Sequence, residues 1–232
     1  MKKVLIACPT ADVKDYCLED FIDNIKSFTY HEKKLFLCDN SETRDYYIDT
    51  KKKYSFLGDF FEMARVTPSQ YRSFKIALAK SHNKCRLKAL EDGYDYLLHL
   101  ESDVFPPIDV IERLLAHKKP IVGALYHIET GERSTLMIQQ LEEFGDAHRE
   151  TNNLWETDLE FVNGEVKKIF SCGLGCVLIH RSVLEKVQFR CDENSPVHPD
   201  SFFYNDLDAK GIDVYVDTSI YCEHRNQVNQ RF

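Results

Sequence analysis

Glu101 and Asp103 stand either side of one serine, directly after the apolar run Tyr96-Leu97-Leu98-His99-Leu100. Two carboxylates brought together where a buried strand ends repel each other, so the arrangement calls for a counter-ion. A hard divalent cation, Mg2+ or Mn2+, bound by few protein oxygens and completed by a ligand's phosphates, answers that need. The alternative is a solvated acidic turn that caps the helix introduced by Pro106-Pro107. Asp200 is open to the same double reading. Pro199-Asp200-Ser201 has the residue types of a helix start, and a carboxylate held there can also take a proton from a hydroxyl. Asn83 is polar on an otherwise apolar helical stripe, where a buried amide must find partners, and Arg86, one turn along, suits a phosphate. An anionic ligand or a network inside the fold would satisfy both. In Cys172-Gly173-Leu174-Gly175-Cys176 the glycines allow close backbone approach, so main-chain groups near Gly173 either touch a ligand or form a plain tight turn.

The elements that must position these groups are read from periodicity. Lys3 to Cys8 is a short buried strand that stops at Pro9-Thr10. Leu18, Phe21, Ile22 and Ile25 recur at helical spacing, and Leu35-Phe36-Leu37-Cys38 is a second strand ended by Asp39-Asn40-Ser41. From Ser69 to Asp92 a helical pattern carries Ile76, Ala79, Leu87 and Leu90 on one stripe, with Gly93 as its stop signal. The strand at 96–100 follows, then a helix marked by Ile108, Ile111 and Leu115, then the strand Pro120 to Leu125. Residues 130–163 lose the pattern around the lone Trp155, which predicts loops with a weak helical stretch near Leu136 to Phe144. Order returns with Val166 to Phe170, the glycine turn and the strand Val177-Leu178-Ile179. Helices at Arg181 to Val187 and Asp200 to Lys210 follow, then Val214-Tyr215-Val216. Such alternation predicts an α/β fold, a mostly parallel central sheet flanked by helices on both faces, with ligands at the carboxyl ends of its strands.

Composition bounds the rest. The 232 residues, 43% hydrophobic, suffice for one substantial core, and no low-complexity linker or fixed-period repeat divides them. A net charge of −8 argues against a dedicated binder of nucleic-acid backbones. No window approaches about 18 consecutive apolar residues, so neither a transmembrane segment nor a signal peptide is expected. The eight cysteines are scattered through strands and helices, which predicts buried reduced thiols and a cytoplasmic location. Cys172 and Cys176 lack a matching Cys/His pair, against a structural zinc site.

The stretch Gly93 to Pro107, centred on Leu100-Glu101-Ser102-Asp103, resembles the metal-binding segment of GT-A fold glycosyltransferases, the nucleotide-diphospho-sugar transferases. There an Asp-x-Asp (DXD) motif follows the strand before the nucleotide-sugar site. Lys3 to Thr10 with Cys38-Asp39-Asn40-Ser41 resembles the family's nucleoside-binding half, and Gly173 to Arg181 its glycine turn and next strand. Asp200 to Asp217 with Cys222-Glu223-His224 resembles its C-terminal Asp-helix-Gly-strand-His segment. The likeness runs over about residues 1–225 with a gap at 130–160.

The resemblance implies one GT-A domain over 1–232, with a nucleotide-binding half at 1–103, an acceptor half at 104–225 and a tail at 226–232. It implies a glycosyltransferase that moves a sugar from a nucleoside diphosphate of UDP or GDP type to an acceptor hydroxyl, with Mn2+ or Mg2+ as cofactor. Asp103 would coordinate the metal. Glu101, standing where the family has its first Asp, would support the metal or the ribose. His224 would be a further ligand, imidazole suiting Mn2+ better than Mg2+. Asp200 would be the base of an inverting displacement, although Pro199 stands where many members have Glu. Asp39 would accept hydrogen bonds from a base imide or ribose hydroxyls, the alternative being an ordinary turn closed by an Asx bond, and Pro9 and Thr10 would offer backbone groups. Asn83, Arg86, Ser102 and Gly173 complete the expected donor-binding set. Tyr126, His127 and Trp155 fall on the acceptor side. The acceptor stays open among glycan, protein, lipid and modified nucleobase. Two alternatives stand beside this reading: a nucleotidyltransferase, for which a glycine- and lysine-rich triphosphate loop is missing near the start, and a degenerate carbohydrate-binding module without turnover.

Overall fold

The structure, a computed structural model, describes residues 1–225 except 72, 131–132, 145–147, 156–157, 159, 193 and 196. The expected tail at 226–232 and the side chain of Trp155 lie outside the described part. In chain order the strands are β1 (Val4–Thr10), β2 (Lys33–Asp39), β3 (Phe61–Arg65), β4 (Tyr96–Leu100), β5 (Val104–Phe105), β6 (Ile121–Leu125), β7 (His127–Thr130), β8 (Arg133–Phe144), β9 (His148–Trp155), β10 (Val166–Ile169), β11 (Cys176–His180), β12 (Val214–Tyr221) and β13 (Glu223–His224). The helices are α1 (Asp15–Ser27), α2 (Asp45–Lys53), α3 (Phe74–Glu91), α4 (Val110–Ala116), α5 (Arg181–Leu184) and α6 (Pro199–Ala209).

An eight-stranded sheet runs in the order β10-β12-β6-β11-β4-β1-β2-β3. The pairs β1–β2, β1–β4, β2–β3 and β6–β12 are parallel, while β11 is antiparallel to both β4 and β6, and β10 to β12. All but β10 and β11 therefore point the same way, and the carboxyl ends of β1 to β4, β6 and β12 share one edge. The amino end of β11, where the glycine turn arrives, lies on that edge too, because Cys176 pairs with Leu100.

Alternation along the strands divides the core between the two faces. In β1, Val4, Ile6 and Cys8 pack on the side of α1 and α4, while Leu5 and Ala7 face α3. The α1 stripe is as periodicity predicts, with Leu18, Phe21, Ile22 and Ile25 all buried. The phase of α3 differs. Leu87 is 43% exposed, and the buried residues are Ala77, Ala79, Ser81, His82, Cys85 and Ala89. A ridge of small side chains lets α3 lie close against β1 and β2, a packing preference that hydrophobicity alone does not register.

Three segments depart from expectation. Residues 45–65 carry α2 and β3, which periodicity leaves unassigned because α2 buries only Tyr46 and Thr50 and ends in three exposed lysines. The region 130–163 is not mainly loop, and 136–144 is not helical: β7, β8 and β9 form a three-stranded antiparallel sheet. Leu136 and Ile138 alternate inward on β8, whose partner strands are polar enough to hide the period of two. The helix expected over 181–187 is the single turn α5. All eight cysteines are free, and seven are buried. Among the described residues no helix is long and apolar enough to cross a membrane.

Candidate functional site

The turn after β4 is tied from both sides. Glu101 N–H donates to Gly175 O (2.9 Å), Val104 N–H donates to Glu101 O (3.0 Å), and the thiol of Cys17 donates to Ser102 O (3.1 Å). Ser102 and Asp103 are thereby drawn under the surface, each 2% exposed. The two-residue pairing of β13 with β5 sets His224 opposite Val104, and Arg225 N–H donates to Asp103 O (2.9 Å). This short ladder carries the imidazole from the far end of the chain to Asp103, with His224 Nε2 3.4 Å from Asp103 Oδ2.

A residue absent from the sequence-based set completes the cluster. Lys14, in the turn between β1 and α1, donates its ammonium to the same Oδ2 of Asp103. Burial pushes the Asp103 carboxyl up, but His224 and Lys14 overcome this and hold it below its ordinary value. Glu101 moves the other way. Burial, reinforced by the negative charge of Asp103, raises it to about 7, with Lys14 and His224 opposing. The two acids are thus set apart: one firmly ionised, the other able to hold a proton near neutrality.

Asp103 and His224 fit a divalent cation, since a carboxylate and an imidazole face one space and two protein ligands leave the other positions to phosphate oxygens and water. Among the described residues no three His, Cys, Asp or Glu side chains converge as a ready-made metal cluster.

Glycine is required twice in the turn before β11. Gly173 has φ 61°, and a Cβ on either Gly173 or Gly175 would collide with Tyr126. Tyr126 Oη accepts from Gly175 N–H (3.1 Å), and Tyr204 Oη donates to Gly173 O. Tyr126 is therefore a packed wedge under the turn, 2% exposed, and does not line an open acceptor surface. The main chain of Gly173 is held by Tyr204 of α6, which also carries Asp200 in its first turn. Asp200 is half-buried and accepts from Ser201 N–H (2.8 Å). Burial raises Glu101, Tyr126 and Tyr204, and the nearby Asp200 adds to each in the same direction, which puts it in the same cleft.

Beneath the turn lies a buried histidine pair. His99 Nδ1 is 2.7 Å from Leu174 O and must donate to it, which leaves Nε2 to accept from His82 Nδ1–H (2.8 Å). Both rings are neutral in this arrangement, and burial lowers His99 to about 4 and His82 well below its usual value. The folded state thus binds fewer protons than the unfolded chain. Stability is fully present above pH 6.5 and is lost as pH falls from there through about 4. Chemical denaturation across that window is expected to show a slope of up to about 1.4 kcal/mol per pH unit for each imidazole, which His99→Gln should diminish. A flat profile in the wild-type chain would contradict the neutral pair.

At the other end of the edge, Thr10, Asp39 and Arg65 occupy one register across β1, β2 and β3. Pro9 precedes them, partly exposed. Thr10 spends its carbonyl on Asn40 N–H (2.8 Å) and shares its hydroxyl with Tyr46 Oη (3.2 Å). Asp39 is fully buried. Its Oδ1 accepts from Ser41 N–H (2.8 Å), and Arg65 Nε is 3.4 Å from Oδ2. Burial raises the carboxyl, with Ser41 and Arg65 opposing. Among the described residues, Asp39 Oδ2 and Arg65 Nη1 are both buried without a hydrogen-bond partner. Arg65 also lines an open 470 Å3 cavity with Glu42, Arg44, Tyr47 and Thr67. Recognising β3 in Phe61-Glu62-Met63-Ala64-Arg65 would have placed Arg65 beside Asp39, whereas nothing in sequence separates Lys14 from a surface lysine.

Two expected donor-site residues are spent elsewhere. The Asn83 amide clamps Phe189, donating to its carbonyl and accepting from its N–H (3.0 Å). Arg86 Nε donates to Leu184 O (2.6 Å) and Val187 O (3.0 Å). Both close the chain after α5 onto α3, so the partners that a nucleotide was expected to supply come from main chain.

No family model matches the chain, and no curated protein matches it. Among solved structures it is similar to a crystal structure of GalNAc-T7 with UDP, GalNAc and Mn2+, with a TM-score of 0.67 at 10% identity. The match covers 99% of this chain and 45% of that one, so the chain spans somewhat under half of that protein's chain. At such identity the likeness speaks for architecture alone, and the architecture is that of the GT-A glycosyltransferases.

Proposed function

We propose that this chain is a metal-dependent glycosyltransferase that moves a sugar from a nucleoside diphosphate, of UDP or GDP type, to an acceptor hydroxyl. The observation that carries the reading is the buried Asp39–Arg65 ion pair, whose Asp39 Oδ2 and Arg65 Nη1 have no hydrogen-bond partner among the described residues, on the same sheet edge as Asp103 and His224. Leaving such atoms unsatisfied costs free energy that a ligand recovers. A carboxylate oxygen beside a guanidinium N–H is complementary to a nucleobase edge that offers a ring N–H next to a carbonyl. The adjoining cavity gives the nucleoside room.

In this reading Asp103 and His224 would hold the cation, which when bound would supply positive charge to the diphosphate leaving group. Asp200, in the first turn of α6, takes the proton of the acceptor hydroxyl as its oxygen attacks the anomeric carbon from the face opposite the diphosphate, whose bond to that carbon breaks. Gly173 to Gly175, fixed by Tyr126 and Tyr204, bring main chain close to the sugar. Glu101, able to hold a proton near neutrality, would serve the ribose or the outer sphere of the cation.

The test is a thermal-shift and titration panel of UDP, GDP and CMP, each with and without Mn2+, on wild type, Asp39→Asn and Arg65→Met. One nucleoside diphosphate should stabilise the wild type, by about 2.7 kcal/mol at a hundredfold excess over its dissociation constant. Each substitution should weaken it by about tenfold or more, since a buried charged partner is lost. Unchanged affinity in both variants would sink the assignment of this pair. Nucleotide binding without transfer or donor hydrolysis would favour a binding module.

A further inference from the structure

Asp103 is buried, and its charge is sustained by two neighbours that meet on one oxygen: His224, and the ammonium of Lys14. A divalent cation on that oxygen would repel an ammonium seated on it at contact distance, so the ammonium is driven to withdraw. Lys14 is free to do so. Its side chain is 31% exposed against 3% for Asp103, and it hangs by a flexible stem from the turn that follows β1, on the same edge as the rest of the cleft. Arg225, whose main-chain N–H bonds Asp103 O, has its guanidinium engaged with Asp20 and Glu223 and stacked on Phe105, 3.9 Å from the ring centre.

We infer that Lys14 is the resident counter-cation of Asp103, displaced onto the donor's diphosphate when the divalent cation enters, so that the bare protein binds metal weakly and the nucleotide-bearing protein tightly. The inference rests on the proposed metal-dependent donor site. It makes metal and nucleotide binding mutually reinforcing: the diphosphate offers Lys14 a new partner, and the vacated carboxylate accepts the metal.

Calorimetric titration of Mn2+ alone, and of UDP or GDP at saturating Mn2+, into wild type, Lys14→Met, Lys14→Arg and Asp103→Asn tests this. Circular dichroism checks each fold. Lys14→Met should bind Mn2+ alone about tenfold tighter than wild type, because no charge-assisted hydrogen bond has to be broken, while its affinity for the nucleotide drops by a similar factor. Lys14→Arg, which keeps a cation on Asp103, should bind Mn2+ alone no tighter than wild type, and it remains informative if the methionine variant fails to fold. Mn2+ binding to Lys14→Met no tighter than to wild type, or to Lys14→Arg as tight as expected for the methionine variant, would overturn the inference. If Asp103→Asn abolishes metal binding at the same time, the donor-site reading stands. Metal binding that is undiminished in Asp103→Asn would instead overturn that reading, and this inference with it.

Discussion

Asp103→Asn is expected to lower sugar transfer, and hydrolysis of the nucleotide sugar without acceptor, by about a thousandfold or more, as when a group stabilising the leaving-group charge is removed. The amide keeps the shape of the carboxylate but not its charge, so it holds neither the cation nor Lys14, and it faces His224 across the same 3.4 Å gap. Lys14 is exposed enough to return to water once unpaired, so folding should survive with a modest change in melting temperature. Asp39 and Arg65 lie elsewhere on the edge, across β1, so the part of nucleotide affinity that needs no metal should remain. Steady-state assay of the variant beside its melting curve decides the matter: near-normal turnover in a folded protein would remove Asp103 from the mechanism.

Gly175→Val should destabilise the fold by about 3 kcal/mol, the upper part of the range for overpacking a tight core. A Cβ at this position would sit 2.6 Å from Tyr126 Cε1 and 2.8 Å from Tyr126 Oη. Tyr126 is a stiff ring buried under the turn, and its Oη bonds Gly175 N–H, so it has nowhere to go. The backbone must yield instead, and Gly175 O is the acceptor for Glu101 N–H. Stability and the seating of the Glu101–Asp103 turn should therefore fail together. Combining Gly175→Val with Tyr126→Leu opens the space, and denaturant titrations of the cycle should show a favourable coupling of about 1 kcal/mol or more. Additive effects would mean that the ring and the glycine are not in contact.

Much of the site was legible because its chemistry is attached to strand ends. The run Tyr96 to Leu100 is apolar, of strand length, and stops at two acids, so position and chemistry coincide in a few adjacent residues. Asp39 was legible for the same reason. Asn83 and Arg86 misled because a polar side chain on a buried helix face reports only that a partner exists. Here the partners are carbonyls and an N–H from residues about a hundred positions away. Tyr126, expected on the acceptor side, is instead packed beneath the turn, where two glycines leave room for it. The strands β8 and β9 were missed since half of a strand's signal is its neighbour, and their sequences, mostly polar, carry no apolar period of two.

The sequence by itself determined most of the alternation of strands and helices, outside residues 45–65 and 130–163, and which strand ends bear carboxylates. These follow from local periodicity and residue type, which act over a few positions. Only the tertiary structure decided which distant groups meet: Lys14 and His224 on Asp103, Arg65 beside Asp39, and Tyr126 and Tyr204 against the glycine turn. These meetings depend on strand order and register. The two-residue ladder of β13 with β5 and the parallel register of β2 with β3 exist only once the sheet has closed. The opposed shifts of Glu101 and Asp103 belong to the same level, because burial and neighbouring charge, not residue type, set a carboxylate's proton affinity.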